Sequence, residues 1–101
     1  MRFLILLRVL GRNESQWLSN RGLLELRKFD QELVRAGVLL AAERLRANCG
    51  GATTIADSTG PIAGFWLIQA TSKAEAIEWA RRCPQLEGVD AEAEIWEVIA
   101  T

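Results

Sequence analysis

The chain has 101 residues, with 12 Lys and Arg against 13 Asp and Glu and a net charge of −1. This length fits one domain, which we take to span 1–101, and leaves no room for a second. The near balance of charge gives no general field that gathers nucleic acid or an anionic membrane surface, so we expect neither as a partner.

Histidine is absent, and the two cysteines are Cys49 and Cys83. A zinc site built from cysteine and histidine is therefore not expected, and we expect no metal. Gly50-Gly51 alone is not a dinucleotide fingerprint, so no cofactor is predicted. Two thiols this far apart, without an export signal, are typical of a reducing compartment, and the expected location is the cytoplasm.

Residues 2–9 form the first predicted strand. This largely apolar run has the length of a strand, is too short for a membrane span, and is closed by turn residues from Gly11 onward. Strand alternation places one set of residues on one face: Phe3, Ile5, Leu7 and Val9. The other face carries Arg2, Leu4, Leu6 and Arg8. It is apolar in its middle and cationic at both ends, which indicates a sheet that is covered on both faces.

Residues 21–36 are predicted to form a helix. Leu26, Phe29 and Leu33 repeat with helical spacing, charged residues fill the opposite face, and Gly37 stands where a helix ends. Beyond this glycine we interpret 38–40 as a short extended run and 41–47 as a brief turn of helix.

The second half of the chain predicts a hairpin, a helix and a last strand. Glycine and proline punctuate 48–61, with a strand over 52–56 between them. The segment 62–71 is apolar on both faces, as in a strand buried from two sides. Ser72-Lys73-Ala74-Glu75 is a capping box that opens a helix ending before Pro84, and 92–99 alternates as a strand.

The predicted order β-α-β-β-α-β is the ferredoxin-like α+β plan, a four-stranded antiparallel sheet with both helices on one face. The helices cover that face, yet 2–9 and 62–71 are apolar on both. A second copy of the chain is the economical cover, because isologous dimers are the commonest assembly. We therefore expect a homodimer in which two sheets pack face to face.

Several segments resemble one known family. Phe29 to Leu40 (FDQELVRAGVLL) is similar to the helix and following segment of YCII-related (DGPF) proteins, and Ala42-Glu43-Arg44-Leu45 stands where many members have a Gly-Glu-Gly-Leu-like turn. Ile62 to Pro84 (IAGFWLIQATSKAEAIEWARRCP) closely resembles the stretch after the DGPF signature. The resemblance covers nearly the whole chain and implies a dimeric α+β barrel.

The chain departs from this family at the signature itself. The Asp-Gly-Pro-Phe motif is degenerate, since only Asp57 and then Gly60-Pro61 remain near its place. The resemblance implies a His–Asp pair in some relatives, and in one branch a likeness to enzymes that eliminate chloride from chlorinated aromatic intermediates. A chain without histidine cannot carry that pair.

Asp57 and Ser58 are candidate site residues in the predicted hairpin. Asp57 is the only acid between Glu43 and Glu75. It is therefore a candidate catalytic base, and Ser58 beside it a candidate ligand contact. The alternative is structural, because Asp-Ser-Thr-Gly is also an ordinary turn whose carboxylate binds nearby backbone amides.

Arg8 is a candidate ligand contact on the strand face that we expect to turn toward the partner. A buried arginine needs an anion. That anion is either a bound ligand or a glutamate of the last strand, Glu94 or Glu97, depending on register.

Arg46 and Trp66 complete the set of candidate ligand contacts. Arg46, two residues from Arg44, is placed to clamp an anionic substrate, although a solvated turn explains both arginines equally well. Trp66 shares a face with Gly64, whose missing side chain leaves either a small pocket or room for close packing.

Three functions remain open at this point. The first is a homodimeric module that binds a small anionic or aromatic molecule in an apolar cleft between the sheet and the helices. The second is a lyase or isomerase that acts on a small cyclic or aromatic acid, with Asp57 as general base. The third is a structural or regulatory dimer. Lack of histidine, of a metal cluster and of a phosphate loop favours the first, and whether the chain is an enzyme stays open.

Overall fold

The computed structural model describes residues 1–9, 20–45, 62–85 and 90–99. Its helices and strands follow the order β1 (Arg2–Val9), α1 (Asn20–Arg35), β2 (Leu39–Arg44), β3 (Ile62–Gln69), α2 (Lys73–Arg81) and β4 (Ala91–Glu97). The four strands form one antiparallel sheet in the order β2-β3-β1-β4. This α+β architecture is compatible with the predicted ferredoxin-like fold, in which the first and third strands are central.

Both helices pack on the same face of the sheet. Ile5, Trp66 and Ile95 lie side by side on β1, β3 and β4, so they share that face. The Phe29 ring of α1 meets the Trp66 indole edge-on at 5.1 Å between ring centres. Helix α2 lines a cleft together with Ile95. The core therefore lies between this face of the sheet and the two helices.

The core contains the residues that alternation and helical spacing assign to it. The β1 set Phe3, Ile5, Leu7 and Val9 is buried, and so is the α1 stripe Leu26, Phe29 and Leu33. Helix α1 ends in a Schellman motif, because the Val38 amide binds the Leu33 carbonyl at 3.1 Å and Gly37 has a φ of 76°. In the described residues no helix is both long enough and apolar enough to cross a membrane.

Strand β2 corrects the expectation for residues 38–47. The predicted helical turn over 41–47 is wrong in its described part, because Leu39–Arg44 is one strand. Alanine, glutamate and arginine favour helices locally, but backbone pairing with β3 overrides that preference. The register shifts between Leu39 and Ala41. This bulge breaks the alternation that marks a strand in the sequence. The strand expected over 52–56 lies outside the described residues.

Helix α2 starts at the predicted cap, with one difference in the hydrogen bonds. The Ser72 hydroxyl accepts from the Glu75 amide at 3.1 Å, as a capping box requires. The Glu75 carboxylate reaches past the cap and accepts from the Thr71 amide at 2.8 Å and the Thr71 hydroxyl at 2.6 Å. These bonds from Thr71 lower the pKa of Glu75.

The face of the sheet turned away from the helices is here called the open face. One row across the strands carries Ala41, Leu67, Leu4 and Trp96. The neighbouring row carries Glu43, Phe65, Leu6 and Glu94. The leucines of both rows and Phe65 are half-buried, and 56% of Trp96 is exposed. The open face is therefore apolar along its middle with charged groups beside it, as alternation predicts.

Candidate functional site

Asp30 of α1 joins Trp66 of β3 and Arg44 of β2 under the helix. The Trp66 indole nitrogen donates to Asp30 Oδ1 at 2.6 Å, and Arg44 Nη2 donates to Asp30 Oδ2 at 2.5 Å. Arg44 Nη2 also donates to the Leu26 carbonyl at 3.2 Å, and the guanidinium lies 5.0 Å from the Trp66 ring centre. Trp66 is fully buried, whereas the side chains of Asp30 and Arg44 are 28% and 21% exposed. One carboxylate therefore satisfies a buried donor and neutralises an arginine.

Gly64 makes the close approach of Arg44 possible. Arg44 and Gly64 are paired on β2 and β3. A Cβ atom on Gly64 would lie 2.9 Å from the Glu43 carbonyl oxygen and 3.5 Å from Arg44 Cδ. The sequence allowed two interpretations of the space beside Trp66, a small pocket or close packing. The stem of Arg44 borders this space, and this geometry favours close packing.

Arg8 binds Glu94 on the open face. Its Nε donates to Glu94 Oε2 at 2.8 Å and its Nη2 to Oε1 at 3.2 Å, which is a bidentate pair. The hydrogen bond from Arg8 lowers the pKa of Glu94 and raises the pKa of Arg8 itself. Of the two glutamates considered, Glu94 is thus the partner, because Glu97 lies opposite Phe3 near the other end of the strand pair.

A cleft with a volume of about 320 Å³ lies between α2 and β4, here called the α2–β4 cleft. The sheet contributes Leu7, Ala91, Glu92, Ala93 and Ile95. Helix α2 and the residues after it contribute Ile77, Ala80, Arg81, Cys83, Pro84 and Gln85. Most of these side chains are apolar, and the volume lies at the lower end of the range for small-molecule sites. This cleft is the best candidate binding site among the described residues.

Cys83 lines the α2–β4 cleft as a protonated thiol. Burial raises its pKa to about 12, and the positive charge of Arg44 opposes this shift only in part. A thiol that holds its proton so firmly is a poor nucleophile at neutral pH. Cys83 therefore contributes to the cleft as a small apolar group.

Two of the five predicted site residues lie in the described part of the chain, and they are far apart in the fold. Trp66 faces the helices and Arg8 lies on the open face. Neither lines the α2–β4 cleft. Asp57, Ser58 and Arg46 lie outside the described residues. Contact of any of the five with a ligand stays a prediction. Within the described residues no group of three or more His, Cys, Asp or Glu is placed to hold a metal ion.

Sequence reasoning missed the roles of Asp30 and Arg44. It assigned the charged residues of the helix, Asp30 among them, to the face opposite the apolar stripe, yet Asp30 follows Leu26 by four residues and precedes Leu33 by three. That spacing puts it at the border of the apolar stripe, where a polar group finds a buried partner. Arg44 was placed in a turn, so its alignment beside Gly64 was not available from the sequence.

The element order and the four-stranded antiparallel sheet define an α+β domain compatible with the ferredoxin-like class. The particular family follows from the sequence as a whole. The chain belongs to the YCII-related domain family, whose model matches residues 1–99. No curated protein matches the chain. The family assignment confirms the resemblance carried by residues 29–40 and 62–84.

Proposed function

We propose that the protein is a homodimeric domain that binds a small molecule in the α2–β4 cleft. The observation that carries this proposal is the cleft itself, with about 320 Å³ of space lined mainly by apolar side chains. Ligand sites are typically concave, largely apolar and fitted with a few polar groups at fixed places. Here Arg81 and Gln85 are the polar groups on the helix side, and the aliphatic side chains supply most of the contact area.

Dimerisation is supported by the composition of the open face. A row of Ala41, Leu67, Leu4 and Trp96 places apolar side chains across four strands, and the largest of them is more than half exposed. Removing this surface from water would stabilise an assembly in proportion to the apolar area buried. The same face also carries arginines and glutamates. Under two-fold symmetry, charges on one copy can therefore lie opposite charges of the other sign on the second copy.

The dimer has a direct test in solution mass. Light scattering after size exclusion at micromolar concentration should give twice the chain mass. Trp96→Glu should give one chain mass, because it places two like charges near the apolar row of a two-fold interface. Leu24→Glu on the exposed surface of α1 is the matched control and should leave the dimer intact. A monomeric wild-type chain would refute this part of the proposal.

Binding has a separate test in heat stability. A panel of small aromatic and aliphatic acids and their neutral analogues is added to the dimer, and a ligand that occupies the cleft should raise the melting temperature. Ala93→Leu should remove that rise, because the larger side chain fills the cleft. Absence of any rise across the panel would contradict ligand binding. It would leave a structural or regulatory dimer, which we expect in the cytoplasm.

The same panel separates binding from catalysis. If a compound of the panel is converted and the rate falls about a hundredfold in Asp57→Asn while the fold is kept, the domain is a lyase or isomerase with Asp57 as base. Under our proposal the panel compounds bind and leave unchanged, and Asp57→Asn keeps the rise in melting temperature.

A further inference from the structure

The α2–β4 cleft has features that specify the class of its ligand, and these rest on the proposed binding function. On its sheet side the small residues Ala91 and Ala93 lie on one face of β4, beside the larger side chains of Leu7 and Ile95. Alanine side chains project little from a strand, so the wall is shallow at these two positions. Ile77 and Ala80 of α2 form the facing wall. A shallow stretch of apolar wall that faces a helix suits a flat ring better than a branched or puckered body.

Charge in the cleft comes from one cation among its described lining residues. Glu92 also lines it, but Glu92 is paired with Arg8 across the strands, and its charge helps to raise the pKa of Arg8 on the open face. Strand alternation therefore turns the Glu92 carboxylate away from the cleft. Arg81 is the remaining charged group, and the Cys83 thiol is neutral because burial raises its pKa to about 12.

Arg81 is available for a ligand. Its nearest acid is Glu78, one turn earlier on α2, with Arg81 Nη1 at 3.3 Å from Glu78 Oε1. These side chains are 72% and 67% exposed, so the pair is screened by water and is worth little. A carboxylate on a ligand held in the cleft can replace Glu78 and bind the planar guanidinium through two hydrogen bonds.

We infer that the cleft takes a flat aromatic carboxylate, with the ring between the alanine wall and α2 and the carboxylate on Arg81. Benzoate is the minimal member of this class. Benzamide has the same shape without the charge, and cyclohexanecarboxylate has the charge without the flat ring. Binding is non-covalent, and the ligand leaves unchanged.

The test is titration of the full-length protein with these three compounds, followed by calorimetry and by the methyl NMR signals of Ala80, Ala93 and Ile77. Benzoate should bind several-fold more tightly than benzamide, because a charge pair with a largely exposed arginine is worth about that factor. Cyclohexanecarboxylate should bind several-fold more weakly than benzoate. All shifted methyl signals should belong to the cleft.

Two variants and a matched control identify the residues that bind the ligand. Arg81→Gln should bring the affinity for benzoate down to that for benzamide and leave benzamide binding unchanged. Arg82→Gln is the control, because Arg82 stacks on Trp79 at 4.8 Å from the ring centre and is not among the cleft residues. It should bind benzoate like the wild type. Ala93→Leu should abolish binding of both compounds.

The outcomes separate this inference from the proposed function. If benzoate and benzamide bind equally, or if Arg81→Gln does not change their ratio, the inference is overturned while small-molecule binding stands. If benzoate does not bind but a different member of the panel does, the assigned class is wrong. If no compound binds or shifts a cleft methyl signal, both the inference and the binding function fall.

Discussion

Replacing Asp30 by alanine tests the cluster that connects α1 to β2 and β3. The substitution removes the acceptor of the Trp66 indole at 2.6 Å and the partner of the Arg44 guanidinium at 2.5 Å. Trp66 is fully buried, so its N–H cannot turn to water, whereas 21% of the Arg44 side chain is exposed and can do so. The two halves of the cluster therefore lose different amounts of free energy.

An unsatisfied buried donor costs about 1–3 kcal/mol. The Arg44 contact adds about 0–1 kcal/mol, because a partly exposed pair is screened and the Leu26 carbonyl still accepts from Arg44. Asp30→Ala should therefore lower the free energy of unfolding by about 2–3 kcal/mol. For a domain of this size that corresponds to a fall in melting temperature of roughly 10–20 °C.

Urea denaturation at one fixed protein concentration measures this loss, since the unfolding transition of the proposed dimer would depend on concentration. A double-mutant cycle shows how much of this loss of stability comes from the hydrogen bond to Trp66. In the Trp66→Phe background the indole donor is gone, so Asp30→Ala should cost only about 1 kcal/mol and the coupling should be about 1–2 kcal/mol. An equal cost of Asp30→Ala in both backgrounds would show that the hydrogen bond to Trp66 is not what Asp30 contributes.

Three further predictions follow from other contacts. Gly64→Ala should destabilise the domain by about 1–3 kcal/mol in urea denaturation, because its Cβ would lie 2.9 Å from the Glu43 carbonyl oxygen. Native Cys83 should react with iodoacetamide at least about a hundredfold more slowly than in the urea-unfolded chain at neutral pH, since its pKa of about 12 leaves little thiolate. The stability difference between wild type and Glu94→Gln should shrink as the pH falls from about 6 to about 3. The lowered pKa of Glu94 gives stability that is present above the ordinary value of 4.5 and is lost as pH falls through the folded pKa.

Each of these predictions has an outcome that would contradict it. If Gly64→Ala were as stable as the wild-type protein, β2 would be able to shift at no cost in free energy. Equal alkylation of Cys83 in the folded and unfolded chain, read from its own peptide by mass spectrometry, would mean that the thiol is not shielded. A stability difference for Glu94→Gln that is constant over the pH range would mean that the Arg8 pair does not favour the charged carboxylate.

Much of the fold could be predicted because two periodicities dominate the sequence. Alternation over residues 2–9 and helical spacing through Leu26, Phe29 and Leu33 assigned the core faces of β1 and α1 correctly. The ends of β3, α2 and β4 fall within three residues of their predicted positions. Strand β2 failed because its Ala-Ala-Glu-Arg composition is that of a helix and only pairing with β3 makes it extended.

The candidate site was harder to predict, because it depends on which side chains meet across the sheet. For an ion pair of Arg8, the sequence offered Glu94 or Glu97 as the partner, depending on the strand register. The pairing of β1 with β4 selects Glu94. The residues that line the α2–β4 cleft were not predicted from the sequence. Alanines such as Ala91 and Ala93 carry no chemical signal of their own, and they line a space only because α2 lies opposite them.

The contact between Gly64 and Arg44 constrains how this domain can vary among its relatives. A residue with a side chain at position 64 displaces the strand that carries position 44, and losing the arginine leaves the Asp30 carboxylate with the indole alone. We therefore expect positions 30, 44 and 64 to change as a set among relatives of this chain. A relative that keeps the glycine is expected to keep a long side chain crossing it, even where the sequence around both positions has diverged.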